Sequence, residues 1–142
     1  MCNQNQTGIV ELTIPANTSM LLVVRLTTAG VLARAPIGVD RLDDAKMAVE
    51  EACHCMMNRA DTAGRIGLEF RQVRNRMYIC VRCSDGDCGL DVTDDPQESE
   101  VIRNILESLV DEAEIRISEN QIREIRMCMT LENREAGHVQ ST

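Results

Sequence analysis

One short stretch constrains this chain more than any other: from Ile66 to Val73, Ile66, Leu68 and Phe70 alternate with Gly67, Glu69 and Arg71. Successive side chains of a strand point to opposite faces, so this alternation marks a sheet with one covered face. Helices elsewhere in the chain must supply the cover, which leads to a layered α+β fold.

The remaining segments fit that requirement. Residues 8–14 are β-branched and alternating, and Pro15 ends them, which predicts a first strand. Thr18 or Ser19 is placed to cap a helix running to about Ala35, before Pro36. Its apolar residues Leu21, Leu22, Val24, Leu26, Ala29, Leu32 and Ala33 cover more than one face, so we expect burial on two sides, or on one side by a partner. Asp40 opens a second helix to about Ala60, with Asp43 and Asp44 favourably placed in its first turn. Leu42, Ala45, Ala48, Val49, Ala52, Cys53 and Met56 form its inward stripe.

After a turn at Asp61–Gly64, strands Ile66–Val73 and Met77–Cys83 are joined through Arg74-Asn75-Arg76. An acidic loop covers 84–98, a third helix Ser99–Val110, and two last strands Ala113–Ser118 and Ile122–Leu131. The order β-α-α-β-β-α-β-β predicts a two-layer α/β sandwich: three helices on one face of a mixed, mostly antiparallel sheet. A single domain over 1–142 is expected, with its core at about 8–131 and 132–142 as a flexible tail.

Composition narrows the partners. With one Phe, one Tyr and no Trp, the core is built from aliphatic residues, Met and Cys, and few rings are left to stack on bases. The net charge of −8 repels phosphate backbones, so nucleic acid is not an expected partner. Lys46 is the sole lysine beside arginines, which form forked ion pairs with carboxylates and suit protein partners. No apolar run approaches the roughly 20 residues of a membrane span, and residues 1–7 lack the marks of a signal peptide. A cytoplasmic protein without membrane association is expected, and there the seven cysteines would be reduced thiols, since their spacing suggests no disulfide scaffold.

Three local patterns carry a resemblance. The second helix reads Ala48-Val49-Glu50-Glu51-Ala52-Cys53; the third runs Ile105-Leu106-Glu107-Ser108-Leu109-Val110 into Asp111-Glu112; and Glu11 through Ala16 leads in phase to Val24-Arg25-Leu26. In this order the chain resembles the histidine-kinase-type (GHKL) ATPase domain of bacterial anti-sigma-factor serine-protein kinases, over roughly residues 9–131. The resemblance implies the fold of that ATPase domain, ATP and magnesium as cofactors, a sigma factor or an anti-anti-sigma protein as partner, and a homodimer.

The family's nucleotide elements are altered here. Its helix-two box E-A-x-x-N has Glu51 at the catalytic Glu position but Cys55 at the magnesium-binding Asn, and sulfur is a poor magnesium ligand. Asn58 lies three residues beyond and does not simply replace it. The D-x-G-x-G element falls at Cys83-Ser84-Asp85-Gly86-Asp87-Cys88-Gly89, where Cys83 or Ser84 takes the adenine-reading position and only a bulge would return it to Asp85. The glycine-rich lid corresponds to Glu98-Ser99-Glu100-Val101-Ile102, with carboxylates where phosphates would sit. The residues of the vestigial nucleotide pocket are thus Glu51, Cys55, Ser84, Asp85, Gly86 and Gly89, and the family's partner-contacting arginine matches Arg25.

Three readings stay open. The first is a regulator that binds a sigma factor or an anti-anti-sigma protein, with ATP binding weakened or lost. The second is an active serine-protein kinase with Glu51 as base. The third is a thiol or metal sensor built on Cys55, Cys83 and Cys88. Against these stand ordinary packing for the cysteines, a surface ion pair of Arg25 with Glu11 or Asp44, and a solvated loop for Asp85–Asp95, which lacks calcium-loop spacing. His54 and His138 are isolated and suggest no hydrolytic site.

Overall fold

A computed structural model of the protein describes residues 8–57, 64–85 and 88–132. Among them are three helices and a six-stranded sheet: β1 (Val10–Pro15), α1 (Leu21–Leu32), α2 (Val39–Met56), β2 (Arg65–Val73), β3 (Arg76–Asp85), β4 (Leu90–Asp91), α3 (Glu98–Glu107), β5 (Glu112–Ser118) and β6 (Gln121–Thr130). The sheet runs β1-β2-β3-β6-β5, with β4 pairing the start of β6 beyond the end of β3. Each of these pairings is antiparallel.

Register explains why one face is dry. Val10, Phe70, Ile79, Met127 and Ala113 lie in one cross-strand row, and Leu12, Leu68, Val81, Ile125 and Ile115 in the next. Phe70, Leu68, Ile79, Val81 and Ile125 are all 2% exposed or less. The rows between them carry Glu11, Glu69, Cys80, Arg126 and Glu114, then Gly67, Arg82, Glu124 and Arg116. That open face is laced by ion pairs: Arg82–Glu69 at 3.9 Å, Arg116–Glu114 at 3.1 Å, and Arg126 with Glu124. Arg71 lies over the Tyr78 ring, 5.4 Å from its centroid. Exposed pairs of this kind hold side chains in place more than they stabilise the fold.

The helices cover the other face. Ala45, Ala48, Val49, Ala52 and Cys53 of α2 are fully buried, as its stripe predicts. Ile102 and Leu106 of α3 enter the same core. Arg41 of α2 meets the Asp111 carboxylate at 3.0 Å, and that carboxylate also accepts the Thr130 N–H at 2.6 Å. These bonds hold Asp111 below the usual carboxylate range, the Thr130 amide contributing most.

Several boundaries differ from expectation, each for a local reason. Asn17, not Thr18 or Ser19, makes the first cap: its side chain accepts the Ser19 N–H at 2.9 Å and opens a 3-10 turn at Thr18–Met20 ahead of α1. α1 is buried on one side only, through Val24, Thr28 and Leu32, while Leu22 and Leu26 are 57% and 63% exposed. The buried Thr28 hydroxyl donates back to the Val24 carbonyl at 2.8 Å, which satisfies it within the helix. α2 starts at Val39 behind Gly38 and ends at Met56, short of the expected Ala60, where the Met57 N–H closes the last turn onto the Cys53 and His54 carbonyls; most of the turn at Asp61–Gly64 lies outside the described residues, as does 133–142 of the tail. The loop 84–98 contains the two-residue strand β4, too short to leave a periodic signal. At the β5–β6 hairpin, Glu119 and Asn120 both have positive φ, as a two-residue primed turn requires.

Phe70 is the one Phe of the chain and is 1% exposed at the centre of the sheet. Phe70→Ala is expected to cost about 3–5 kcal/mol of folding stability, read as a lower urea midpoint at unchanged denaturant slope.

Candidate functional site

α2 sets the site by helical spacing. Its buried stripe faces the sheet, and Glu51 and Cys55, four residues apart, share the neighbouring edge. Glu51 is half-buried, and its Oε2 lies 4.0 Å from the Cys55 Sγ, whose thiol is the donor. Cys55 is 8% exposed. Burial first, then the negative charges of Glu51 and Glu98, push its thiol from the ordinary 9.0 up to about 12. At neutral pH it is therefore a protonated, inert thiol, unsuited to bind a hard cation and equally unsuited to act as a nucleophile.

The start of α3 closes the other side. Of the two carboxylates at the expected lid, Glu98 acts on Cys55, whereas Glu100 is drawn along its own helix to Arg103, with contacts of 2.6 and 2.8 Å. Ile102 is 6% exposed and packs into the core with Cys55, Cys88 and Leu90.

At the end of β3 the structure contains a bulge. Ile66 pairs with Cys83 and Arg65 with Asp85, which leaves Ser84 as the extra residue. Ser84 turns its hydroxyl to the Arg65 carbonyl at 3.2 Å. The bulge therefore shifts the register at Asp85; the Asp85 side chain and Gly86 lie outside the described residues.

Across the bulge, Cys83 and Cys88 are joined as a disulfide, which corrects the expectation of reduced thiols and no disulfide. Five residues of separation on a bulged strand end bring the two sulfurs together, and sequence spacing alone gave no sign of it. Cys53, Cys55, Cys80 and Cys128 are free. Cys80 sits on the open face of the sheet while Cys83 follows the Val81 face, as residues three apart on a strand should. Among the described residues no group of three or more His, Cys, Asp or Glu is placed to hold a metal ion.

Gly89 has φ of +105°, and a Cβ there would stand 2.6 Å from the Ile122 carbonyl oxygen. Its N–H reaches the Met56 carbonyl at 3.4 Å, stitching the β4 segment to the end of α2. This glycine is thus required by backbone conformation and close packing.

Arg25 projects from the exposed side of α1 and grips Glu50 of α2 through both fork atoms, Nη2 at 2.5 Å and Nε at 3.3 Å. Its partner is Glu50, rather than the Glu11 or Asp44 considered from sequence; α1 and α2 pack side by side and bring the two within reach. Leu22 and Leu26 flank Arg25 on α1, and Met47, 57% exposed, lies one turn before Glu50 on α2.

No protein-family model matches the chain. It is 38% identical over 78 residues to the serine-protein kinase RsbW of Halalkalibacterium halodurans, covering 54% of this chain and 48% of that protein. It is 35% identical over 74 residues to the proteins of the same name from Bacillus thuringiensis and Bacillus anthracis, covering 51% of this chain and 46% of each. The chain spans about half the length of the curated relatives it matches.

Cys53 and Cys55 both have thiols raised to about 12, chiefly by burial. An unfolded thiol ionises near the ordinary 9.0, so each contributes stability that is fully present below about pH 9 and lost as pH rises toward about 12. The urea midpoint is expected to fall across that window. In the Cys53→Ala/Cys55→Ala double variant the fall should be shallower, whatever its starting stability.

Proposed function

We propose that the chain belongs to the anti-sigma-factor serine-kinase family and keeps the histidine-kinase-type fold as a protein-binding regulator whose nucleotide site no longer holds magnesium-ATP. The observation that carries this reading is Cys55, a buried neutral thiol with carboxylates on two sides, Glu51 and Glu98. The resemblance places a magnesium-binding Asn at Cys55 and a phosphate-wrapping lid at Glu98. Phosphate brought there would meet a carboxylate in a poorly solvated setting, without the metal that normally offsets its charge. Ile102, packed into the core, further reduces the room for it.

Partner binding falls to the α1–α2 surface. Leu22, Leu26 and Met47 leave apolar area exposed around the Arg25–Glu50 pair, a combination suited to a protein interface. The partner in this reading is a sigma factor, an anti-anti-sigma protein, or each in turn, and a homodimer is part of the same proposal.

Isothermal calorimetry with ATP and magnesium is expected to give no measurable binding, and a micromolar dissociation constant contradicts the reading. Cys55→Asn alone should not restore binding, because Glu98 stays in place; pairing it with Glu98→Gly should recover part of it. Arg25→Ala is expected to weaken capture of the host's sigma factors or anti-anti-sigma proteins at least tenfold while leaving the thermal midpoint nearly unchanged.

An active kinase is the second reading, favoured by the name that the relatives carry and by Glu51, a half-buried α2 residue that the resemblance matches to the family's catalytic Glu. It requires phosphate transfer from ATP to a serine of an anti-anti-sigma protein, abolished by Glu51→Ala. Transfer that survives this substitution excludes Glu51 as the base.

A further inference from the structure

The Cys83–Cys88 pair is built asymmetrically. Cys88 is 1% exposed, whereas Cys83 is only partly buried, at the bulged end of β3. The two sulfurs also have different neighbours. Arg123 Nη1 lies 3.6 Å from the Cys83 Sγ, so a thiolate there has a cation beside it. The Arg65 carbonyl oxygen lies 3.4 Å from the Cys88 Sγ, so a thiol there has an acceptor for its S–H. Both reduced sulfurs are therefore accommodated, one as an accessible anion and the other as a buried neutral donor. The bridge closes a loop of only five residues' separation, where a disulfide restrains the unfolded chain least. The two rows at the middle of the sheet, through Phe70 and Leu68, do not include either cysteine.

We infer that Cys83 and Cys88 are a reversible redox-modification site, with Cys83 as the attacking thiol and Cys88 as the resolving one, exchanging with low-molecular-weight disulfides of the glutathione class. In the oxidising direction the Cys83 thiolate attacks one sulfur of the small disulfide, RSSR, forming a mixed disulfide and releasing one thiolate, RS⁻. Cys88 then loses its proton, attacks the Cys83 sulfur and expels the second RS⁻. The two protein thiols give up two electrons and two protons, and RSSR becomes two RSH. Reduction is the reverse, beginning with attack by RS⁻ on the accessible Cys83 sulfur.

The consequence is local. Gly89 follows Cys88 directly and bonds the Met56 carbonyl at the end of α2, and Leu90 and Asp91 pair with Ile122 and Gln121 of β6. The bridge ties this segment to the end of β3; opening it leaves the long Gly89 amide bond to α2, the Val92 N–H on the Asn120 carbonyl at 2.9 Å and a two-residue strand to hold the segment. The pair's chemistry is independent of whether nucleotide binds, so its test is separate from that of the regulatory reading.

Native protein equilibrated in glutathione buffers from fully oxidised to fully reduced, then quenched with acid and alkylated, is expected to pass from bridged to open in peptide mass spectra. A bridge that persists in millimolar reduced glutathione, or fails to form in oxidised glutathione, overturns the inference. The order of attack has its own test in oxidised glutathione. Cys88→Ser should trap one glutathione on Cys83, whereas Cys83→Ser should leave Cys88 unmodified; the opposite pattern overturns the assigned roles. Amide exchange at Gly89 and Leu90 is expected to be at least tenfold faster in the open form, with Leu68 and Val81 unchanged. Equal rates at Gly89 in both forms overturn the local consequence.

Discussion

Everything in this fold depends on how closely α2 packs against the centre of the sheet. Ala45, Ala48 and Ala52 are fully buried and bring little side-chain volume, which lets α2 pack closely over β3 and β6. That approach fixes the rotation of α2 about its own axis. With the alanines inward, Glu50 faces α1 and meets Arg25, while Glu51 and Cys55 face the start of α3. A larger residue in the stripe would move the helix outward and disturb both flanks together.

The chemistry on the α3 flank follows from burial. A carboxylate and a thiol one turn apart in water would be unremarkable. Here Cys55 is 8% exposed and a second carboxylate, Glu98, acts on its thiol from the next helix, so the thiol keeps its proton and the region accumulates negative rather than positive potential. On the α1 flank the opposite holds. Arg25 and Glu50 balance one another at the surface, and the exposed leucines beside them stay unpaired with the rest of the fold.

The layers were legible because they rest on periodicity. Alternation in 66–71 gave the covered face, and the α2 stripe gave the burial of Ala45 through Cys53 almost residue by residue. Contacts decided by a single residue of register were not legible. A bulge before Asp85 could be named only as a condition; its presence at Ser84, the Cys83–Cys88 bridge across it and the brief strand at Leu90–Asp91 arise from local backbone geometry with no periodic trace. The choice of Glu50 as partner for Arg25 likewise depends on how two helices lie beside one another. At the site, Cys55 where the resemblance expects Asn was an expectation from the sequence, but the division of contacts between Glu98 and Glu100 needed α3 in place.

The account turns on whether magnesium-ATP finds a site between α2 and α3. A ligand at a thousand times its dissociation constant stabilises a folded protein by about 4 kcal/mol, a shift of many degrees for a chain of 142 residues. The most direct measurement is thermal unfolding of the intact protein with millimolar ATP and magnesium, against magnesium alone. An unchanged midpoint is the predicted result; a rise of several degrees that requires both ATP and magnesium would contradict the account.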